Sequence, residues 1–401
     1  MPWEERALGD RASAAALLAS ALLAGSPAGA EGSAPAALEP PGADWNLLAR
    51  PVTALQTRLE DAGITFTVDL AFIDQYADRV LRGQHNYGTF AWRTLGDWKL
   101  TSSERWGQGR LNWNLLGAVG LDYDTGSQTI DGNIGSVSVP HTNVVPDPAA
   151  LDELFWTQIA AAGRFVVHAG KINQNTHFDA NRVANDGFRQ FLGGALENNP
   201  SIPWPEYGGL GALFRLQLGS DAYVMLGAAD SSSTEPFAFW KTVDDGSWYQ
   251  LAKLDLTRRI PGLGLGHYRL TPWHNHLSGE DGWGVGLSFD QELGSPHPLA
   301  FFRFGVGDED VTPVETFVSG GLAWQAPFAR SGDVIGLGVA WSDPSPSAGA
   351  RNETLLELFY RFRLSPSIEL TPDLQLVFDP ANNLGDDLVV IPGIRLTFFF
   401  Q

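Results

Sequence analysis

The sequence contains no cysteine and only 2 methionines among 401 residues, which excludes disulfides and thiolate metal sites. Positive charge is also scarce, since 26 Lys and Arg face 46 Asp and Glu, for a formal net charge of −20. Because binding to a phosphate backbone needs a basic face, this balance argues against a nucleic-acid partner. The lack of cysteine is compatible with a location outside the cytoplasm but does not establish it.

After residue 30 the chain has no run of about 20 apolar residues, so we predict no membrane-spanning helix. Residues 1–30 have the pattern of a secretory signal peptide, with an apolar segment at Ala12–Gly25 and a small-residue cleavage site at Ala28–Ala30. A secreted chain without an apolar helix can still be integral to a membrane if its strands close into a barrel.

The clearest pattern lies between Asn352 and Phe400, where apolar residues occupy even positions and charged residues odd ones across three consecutive runs. A period of two places successive side chains on opposite faces of a sheet, so each run is predicted to be a strand with one apolar and one charged face. A barrel with lipid outside and water inside has this pattern, but so does a soluble antiparallel sheet.

Strand-like runs continue along the rest of the chain, and most reach the nine residues needed to cross a bilayer at a tilt. We predict sixteen strands, at 64–79, 89–100, 109–123, 152–161, 164–172, 210–219, 221–229, 247–257, 264–274, 281–293, 298–307, 315–326, 333–342, 353–365, 367–379 and 387–400.

The lengths of the connections favour a membrane barrel over a soluble sheet. Odd-numbered links are mostly longer than even-numbered ones, and the two longest are loops 124–151 and 173–209. Short turns at one end and long loops at the other are typical of an outer-membrane barrel with periplasmic turns and extracellular loops. The fold class predicted is therefore all-β, a sixteen-stranded antiparallel transmembrane β-barrel over residues 64–401.

Residues 31–63 are predicted to form a lead followed by a short periplasmic helix. Residues 31–43 are rich in Ala, Gly and Pro, whereas from Trp45 to Ala62 apolar residues recur at three- and four-residue steps. Such spacing indicates an amphipathic helix, and Gly63 is expected to end it.

The sequence resembles the OprB-type carbohydrate-selective porins. The likeness is carried by Thr57–Ile64, by Ala169–Asn173 with the following Phe178–Arg182 and Asn199–Pro205, and by Asp333–Ala340 with Glu357–Arg361 and Leu370–Gln375. The resemblance implies a sixteen-stranded outer-membrane barrel that admits small sugars by facilitated diffusion. It also implies a constriction lined by arginine and acidic side chains from the wall and from infolded loops.

A pore selective for neutral polyols needs charged hydrogen-bonding groups and flat aromatic surface. Loops 124–151 and 173–209 could fold into the lumen and narrow it, because sixteen strands otherwise enclose an open channel. Wall charges and groups from the second loop are the candidates for the pathway, although each wall residue could equally be an ordinary solvated one. The wall candidates are Arg93, Arg110, Arg215, Arg303, Glu357 and Arg361, and the loop candidates are Phe178, Asp179, Arg182 and Trp204.

We predict no catalytic residue, no cofactor and no metal. His274 and His276 lie near Glu280 and Asp281, but a solvated loop is the simpler interpretation of that group. No serine lies in a recognisable nucleophile motif.

The predicted function is facilitated diffusion of mono- or small oligosaccharides across the outer membrane of a Gram-negative bacterium. The expected partners are small sugars and outer-membrane lipids, with the barrel either a monomer or a homotrimer. Three alternatives stay open: a general diffusion porin of the same fold, an outer-membrane barrel enzyme such as a lipase, and a soluble sugar-binding β protein.

Overall fold

The computed structural model describes residues 49–123, 128–142, 145–277, 280–294 and 298–400. The predicted signal peptide and residues 31–48 lie outside this part of the chain. Among the described residues, no helix has both the length and the apolar character needed to cross a bilayer.

Sixteen antiparallel strands form one closed sheet in which each strand pairs with its neighbours in sequence. Pairing of β1 with β16, from Val68 opposite Phe400 to Gln75 opposite Gly393, closes the barrel. The strands are β1 (Ile64–Tyr76), β2 (Asn86–Ser103), β3 (Gly107–Gly120), β4 (Ala150–Ala160), β5 (Phe165–Ile172), β6 (Gly209–Gln217), β7 (Ala222–Asp230), β8 (Trp248–Ile260), β9 (Gly264–Leu277), β10 (Glu280–Glu292), β11 (Pro298–Gly307), β12 (Val314–Gln325), β13 (Val334–Pro344), β14 (Glu353–Ser365), β15 (Ile368–Phe378) and β16 (Leu388–Phe400). The predicted sixteen-stranded fold is confirmed.

The link predicted at 275–280 is much shorter in the structure, because β9 runs on to Leu277 and β10 begins at Glu280. Polar residues in this stretch resemble a loop in sequence but continue the antiparallel pairing. His276 Nδ1 lies 2.9 Å from Asp281 Oδ1, and the rings of His274 and Trp283 are 4.4 Å apart. Cross-strand contacts of this kind stabilise paired strands that have no apolar alternation.

The alternating rows face as the sequence predicts. On β14 the even-numbered Leu358 is exposed on the outside, whereas Glu357 is fully buried inside. The same holds for Phe302 beside Arg303 on β11. An uncharged outer surface suits hydrocarbon, where an isolated charge is costly.

The facing of four strands, which alternation left ambiguous, is set by the structure. In β5 the inward residues include Val166 and His168. Gly170 has a φ of 146° and comes directly before the buried Lys171. In β8 the inward row includes Tyr249 and Lys253. These strands mix apolar and polar side chains on their inner face, so no clear alternation is visible in the sequence.

The short helix α1 (Ala49–Glu60) lies where the barrel closes. Gln56, its buried side chain, donates hydrogen bonds to the carbonyl oxygens of Phe66 at 2.9 Å and Phe400 at 3.3 Å. These carbonyls belong to the two strands of the seam, so the helix satisfies acceptors at the end of the β1–β16 ladder. Gly63, with φ of 80°, turns the chain from the helix region into β1.

The buried apolar clusters lie inside the barrel and not in a separate domain. One contains Phe191 and Leu196 together with wall residues such as Phe359. Another surrounds Phe178 and includes Trp273 of β9. The inner wall therefore carries apolar groups among its charges, and they pack against the chain segments that enter the lumen.

A charge placed on the outer row tests which face meets lipid. We expect Leu358→Arg, at the middle of β14, to lower the free energy of unfolding by about 2–4 kcal/mol in a bilayer. The matched control is Leu384→Arg, because Leu384 is exposed in the loop after β15 and outside the strands. Urea unfolding in lipid vesicles measures both, and equal losses would contradict the assignment of the faces.

Candidate functional site: the loop-filled lumen

Two long loops run inside the barrel. Loop L2 comprises residues 121–149, of which 121–123, 128–142 and 145–149 are described, and loop L3 comprises residues 173–208. L2 contains the helical turn α2 (Ile130–Ile134), and L3 contains α3 (Gln174–Phe178) and α4 (Gly194–Glu197). Most of L3 is buried. Its backbone is irregular and forms no regular ladder, so each buried N–H and C=O group needs another hydrogen-bond partner. The inner wall supplies many of these partners.

Arg303 of β11 is the principal donor to L3. Its guanidinium donates to the carbonyl oxygens of Leu196 and Ala184, both at 2.7 Å, and to the Asp179 carboxylate at 3.0 Å. Burial raises the pKa of Asp179, and Arg303 opposes that rise. One side chain thus holds three separate parts of the loop, a use to which the five N–H donors of arginine are suited.

Glu357 of β14 serves as the complementary acceptor. Its two carboxylate oxygens receive hydrogen bonds from the backbone N–H groups of Leu192 at 2.6 Å and Gly193 at 2.7 Å. Both amides come immediately before α4 and have no partner within that helix. The wall carboxylate therefore fixes the point at which L3 turns into α4.

A third anchor lies lower on the wall, around β14–β16. Arg395 donates to the carbonyl oxygens of Gly187 and Gln190, and Arg361 donates to that of Arg189 at 2.8 Å. Arg189 in turn makes two hydrogen bonds to Glu369, at 2.9 and 3.1 Å. Loop and wall thus exchange donors and acceptors in both directions.

L2 is fixed to the wall and to L3. Glu353 accepts from the Ser136 hydroxyl at 2.6 Å and from the Ser138 N–H at 2.9 Å. The Pro140 carbonyl accepts from the side-chain amides of Gln75 and Gln375, at 3.2 and 2.9 Å. Among the described residues, three backbone hydrogen bonds join L2 to L3, including that from the Gly194 N–H to the Val139 carbonyl at 2.7 Å.

Glycines on the inner wall allow L3 to approach closely. A Cβ added at Gly305 would lie 2.0 Å from Ser201 Oγ, and one at Gly338 would lie 2.9 Å from Leu196. Any larger residue at these positions would displace the loop. The sequence shows these glycines but not the loop that lies against them.

The structure divides the predicted pathway residues into two groups. Arg93, Arg110, Arg182 and Arg361 keep side chains that are 15–21% exposed. Each lies beside a carboxylate of the lumen. Arg93 is 2.7 Å from Asp69 and 2.9 Å from Asp186, Arg110 is 2.7 Å from Asp97, Arg182 is 3.3 Å from Glu292, and Arg361 is 3.6 Å from Glu369.

The second group is buried. Arg303, Glu357, Asp179 and Phe178 are held between L3 and the wall, and Arg215 lies over the ring of Tyr223 with its guanidinium carbon 5.2 Å from the centroid. The tenth candidate, Trp204, is half-buried, with its ring 6.1 Å from that of Tyr249.

Several residues of the lumen network were not among the candidates. Glu353 shares the inward row of β14 with Glu357 and Arg361, and Glu369 and Arg395 lie on the charged odd-numbered rows of β15 and β16, so parity alone places all three on the inner wall. Arg189 and His141 lie in the loops, where no periodicity marks a residue as inward. Among the described residues, no group of three or more His, Cys, Asp or Glu side chains is arranged to hold a metal ion.

A cavity of about 470 Å³ lies above L3, which we call the vestibule. It is formed by residues of L2 and L3, of the loop between β7 and β8 (L4, residues 231–247) and of the loop between β11 and β12 (L6, residues 308–313). Trp204 is among the residues that line it. The vestibule thus lies at the long-loop end of the barrel.

Removal of the Arg303 anchor should loosen L3. We expect Arg303→Met to leave Asp179 buried without its cation, which costs about 3–5 kcal/mol, and to widen the channel because L3 is released. Single-channel conductance in planar bilayers should rise.

The matched control for this variant is Arg258→Met, since Arg258 forms an exposed ion pair with Asp221 at a short turn. An unchanged conductance in Arg303→Met, with the barrel folded, would contradict the anchoring role.

His141 in L2 predicts a pH dependence. Burial, and then Arg395, lower its pKa to about 3, whereas a free histidine has a pKa of about 6.5. Between these values the unfolded chain binds a proton that the folded chain does not. The contribution of His141 to the free energy of unfolding is therefore fully present above pH 6.5 and is lost as the pH decreases towards 3.

We expect this residue to account for about 2 kcal/mol of the stability lost between pH 6.5 and pH 5. Unfolding free energies of the wild type and His141→Phe, measured across that window, should diverge by this amount. If the two curves of unfolding free energy against pH stay parallel, His141 becomes protonated in place in the folded chain, which contradicts its lowered pKa.

Comparison with solved structures agrees with the barrel. The structure of Pseudomonas putida OprB determined at high pH matches with a TM-score of 0.72 and 17% sequence identity, over 87% of this chain and 97% of that one. At this level of identity the likeness concerns the fold.

Two curated proteins have related sequences. An uncharacterized protein of Aquifex aeolicus is 27% identical over 235 residues, which is 58% of this chain and 63% of that protein. Porin AaxA of Chlamydia abortus is 25% identical over 231 residues, or 55% of this chain and 51% of that protein. The match thus spans between half and two thirds of the relatives' length.

The family model for carbohydrate-selective porins of the OprB family matches residues 125–275 and 255–400. These matches cover most of the barrel, including L3 and the last eight strands. The chain therefore belongs to the OprB family of carbohydrate-selective porins, and its barrel lies in the outer membrane of a Gram-negative cell.

Proposed function

We propose that this protein conducts small carbohydrates across the outer membrane by facilitated diffusion, without a cofactor and without a chemical step. Family and fold indicate a channel rather than an enzyme. Small sugars and outer-membrane lipids are its proposed partners, and the choice between a monomer and a homotrimer stays a prediction.

The observation that carries this proposal is the pairing of charges in the part of the lumen that remains exposed. Arg93, Arg110, Arg182 and Arg361 each have a carboxylate within 3.6 Å. Such pairs present donors and acceptors side by side with little net charge. A sugar hydroxyl both donates and accepts hydrogen bonds, so it can bridge the arginine and the carboxylate of one pair. An ion binds only the group of opposite charge and has to separate the two side chains.

The filled lumen supports selectivity over general diffusion. A sixteen-stranded barrel without internal loops leaves a wide aqueous channel. Here L2 and L3 occupy that space and are fixed to the wall at Arg303, Glu357 and Glu353. A solute must therefore pass between fixed loops and the wall, where its size and hydrogen bonds determine its rate.

Uptake into proteoliposomes tests this function. We expect neutral monosaccharides to enter faster than disaccharides. Arg110→Gln should slow monosaccharide entry by about fivefold, corresponding to the loss of about 1 kcal/mol of hydrogen bonding. Arg258→Gln, at an exposed position near the end of β8, should have no effect.

Equal rates for sugars of all sizes would favour a general diffusion porin. If Arg110→Gln and Arg258→Gln behaved alike, Arg110 would have no place in the pathway.

A further inference from the structure

The vestibule has the dimensions of a ligand site. Its volume of about 470 Å³ falls within the range of about 300–1,000 Å³ typical of pockets for small molecules. It lies at the long-loop end, where a solute from outside enters, and L3 forms part of its lining. A solute that reaches the lumen from this side meets the vestibule first.

One part of the lining is apolar and rigid. It includes Ile202 and Trp204 together with prolines 200, 203 and 205. Proline fixes the backbone φ angle, and the backbone N–H of Trp204 donates to the Ile202 carbonyl at 2.8 Å. The backbone that carries the indole is therefore fixed before any ligand arrives, which reduces the entropy lost on binding.

The indole N–H of Trp204 lacks a hydrogen-bond partner. Its Nε1 atom is buried and bonds to none of the described residues. Buried polar groups are normally satisfied, and because Trp204 lines the cavity, a turn of the indole would bring this donor to a hydroxyl acceptor of a ligand there.

The polar part of the lining consists of neutral groups and one carboxylate. Thr142, Asn198 and Ser232 contribute neutral groups, and Glu206 is the acid. Neither lysine nor arginine is among the described residues that line the cavity, although Lys241 reaches its edge through a 2.6 Å hydrogen bond to Thr234. An anionic ligand would therefore meet Glu206 and, near it, Asp147, with Lys241 as the one cation of the described residues that acts on the Glu206 carboxylate.

We propose that the vestibule is a docking site for one neutral sugar ring, seated against Trp204, from which the sugar passes into the lumen. A pyranose has an apolar C–H face and an edge of hydroxyls, and the vestibule offers an apolar aromatic wall opposite a rim of neutral polar groups. The proposal rests on the channel function and adds a saturable step to it. Glu206 excludes sugar acids from the same place.

The experiment uses the full chain reconstituted in liposomes, with D-glucose as the probe. Initial uptake by the wild type should saturate with glucose concentration. Trp204→Ala should raise the half-saturating concentration about tenfold, and Trp204→Phe, which keeps the ring but lacks the N–H, should lie between them. Trp240→Ala is the matched control, because Trp240 is exposed in L4 and does not line the cavity.

Charge exclusion is tested with D-glucuronate as a competitor. It should not compete with glucose uptake in the wild type and should compete in Glu206→Gln. Uptake that stays linear with concentration, or saturation unchanged in Trp204→Ala, would overturn the docking site and leave the channel function intact.

If ions are conducted but no sugar enters, the proposed transport of carbohydrates is contradicted, and the docking site is tested by a separate binding measurement. Equilibrium dialysis of glucose against the detergent-solubilised protein then applies. Binding that is lost in Trp204→Ala supports the site, and absence of binding by the wild type removes it.

Discussion

Hydrocarbon offers no hydrogen bonds, so every backbone N–H and C=O group that crosses a membrane must find its partner within the protein. In this chain the requirement is met by the closure of β1 on β16, without which both edges of the sheet would be unpaired. Gln56 of α1 meets the same requirement at the seam, because its side-chain amide donates hydrogen bonds to the carbonyl oxygens of Phe66 and Phe400. Closure then divides the side chains into an outer row in lipid and an inner row that needs other partners.

The same rule applies inside the barrel to L2 and L3. A loop buried in the lumen carries as many polar backbone groups as a strand but has no ladder to pair them. The wall provides the substitutes, with Arg303 and Arg395 donating to loop carbonyls and Glu357 and Glu353 accepting from loop amides. Many inward charges of this barrel therefore hold the loops, which is a different task from touching a solute.

This division bears on how the channel works. Charges that are fully buried against L3 set the width of the passage, and those that stay partly exposed, such as Arg93 and Arg110, are available to a passing hydroxyl. Both sets look alike in sequence, as arginines on an inward row. Their distinct roles follow only from which of them the loops cover.

The sequence by itself determined the number of strands, the facing of most of them and the segregation of loop lengths, because a period of two and the position of turn residues are local properties. It also placed Arg303 and Glu357 on the inner wall by parity. Only the tertiary structure decided that these two anchor L3, that His141 is buried in L2, and that Trp204 lines a vestibule. Such contacts join residues more than a hundred positions apart through irregular segments, where no repeat in the sequence records which side chain points inward.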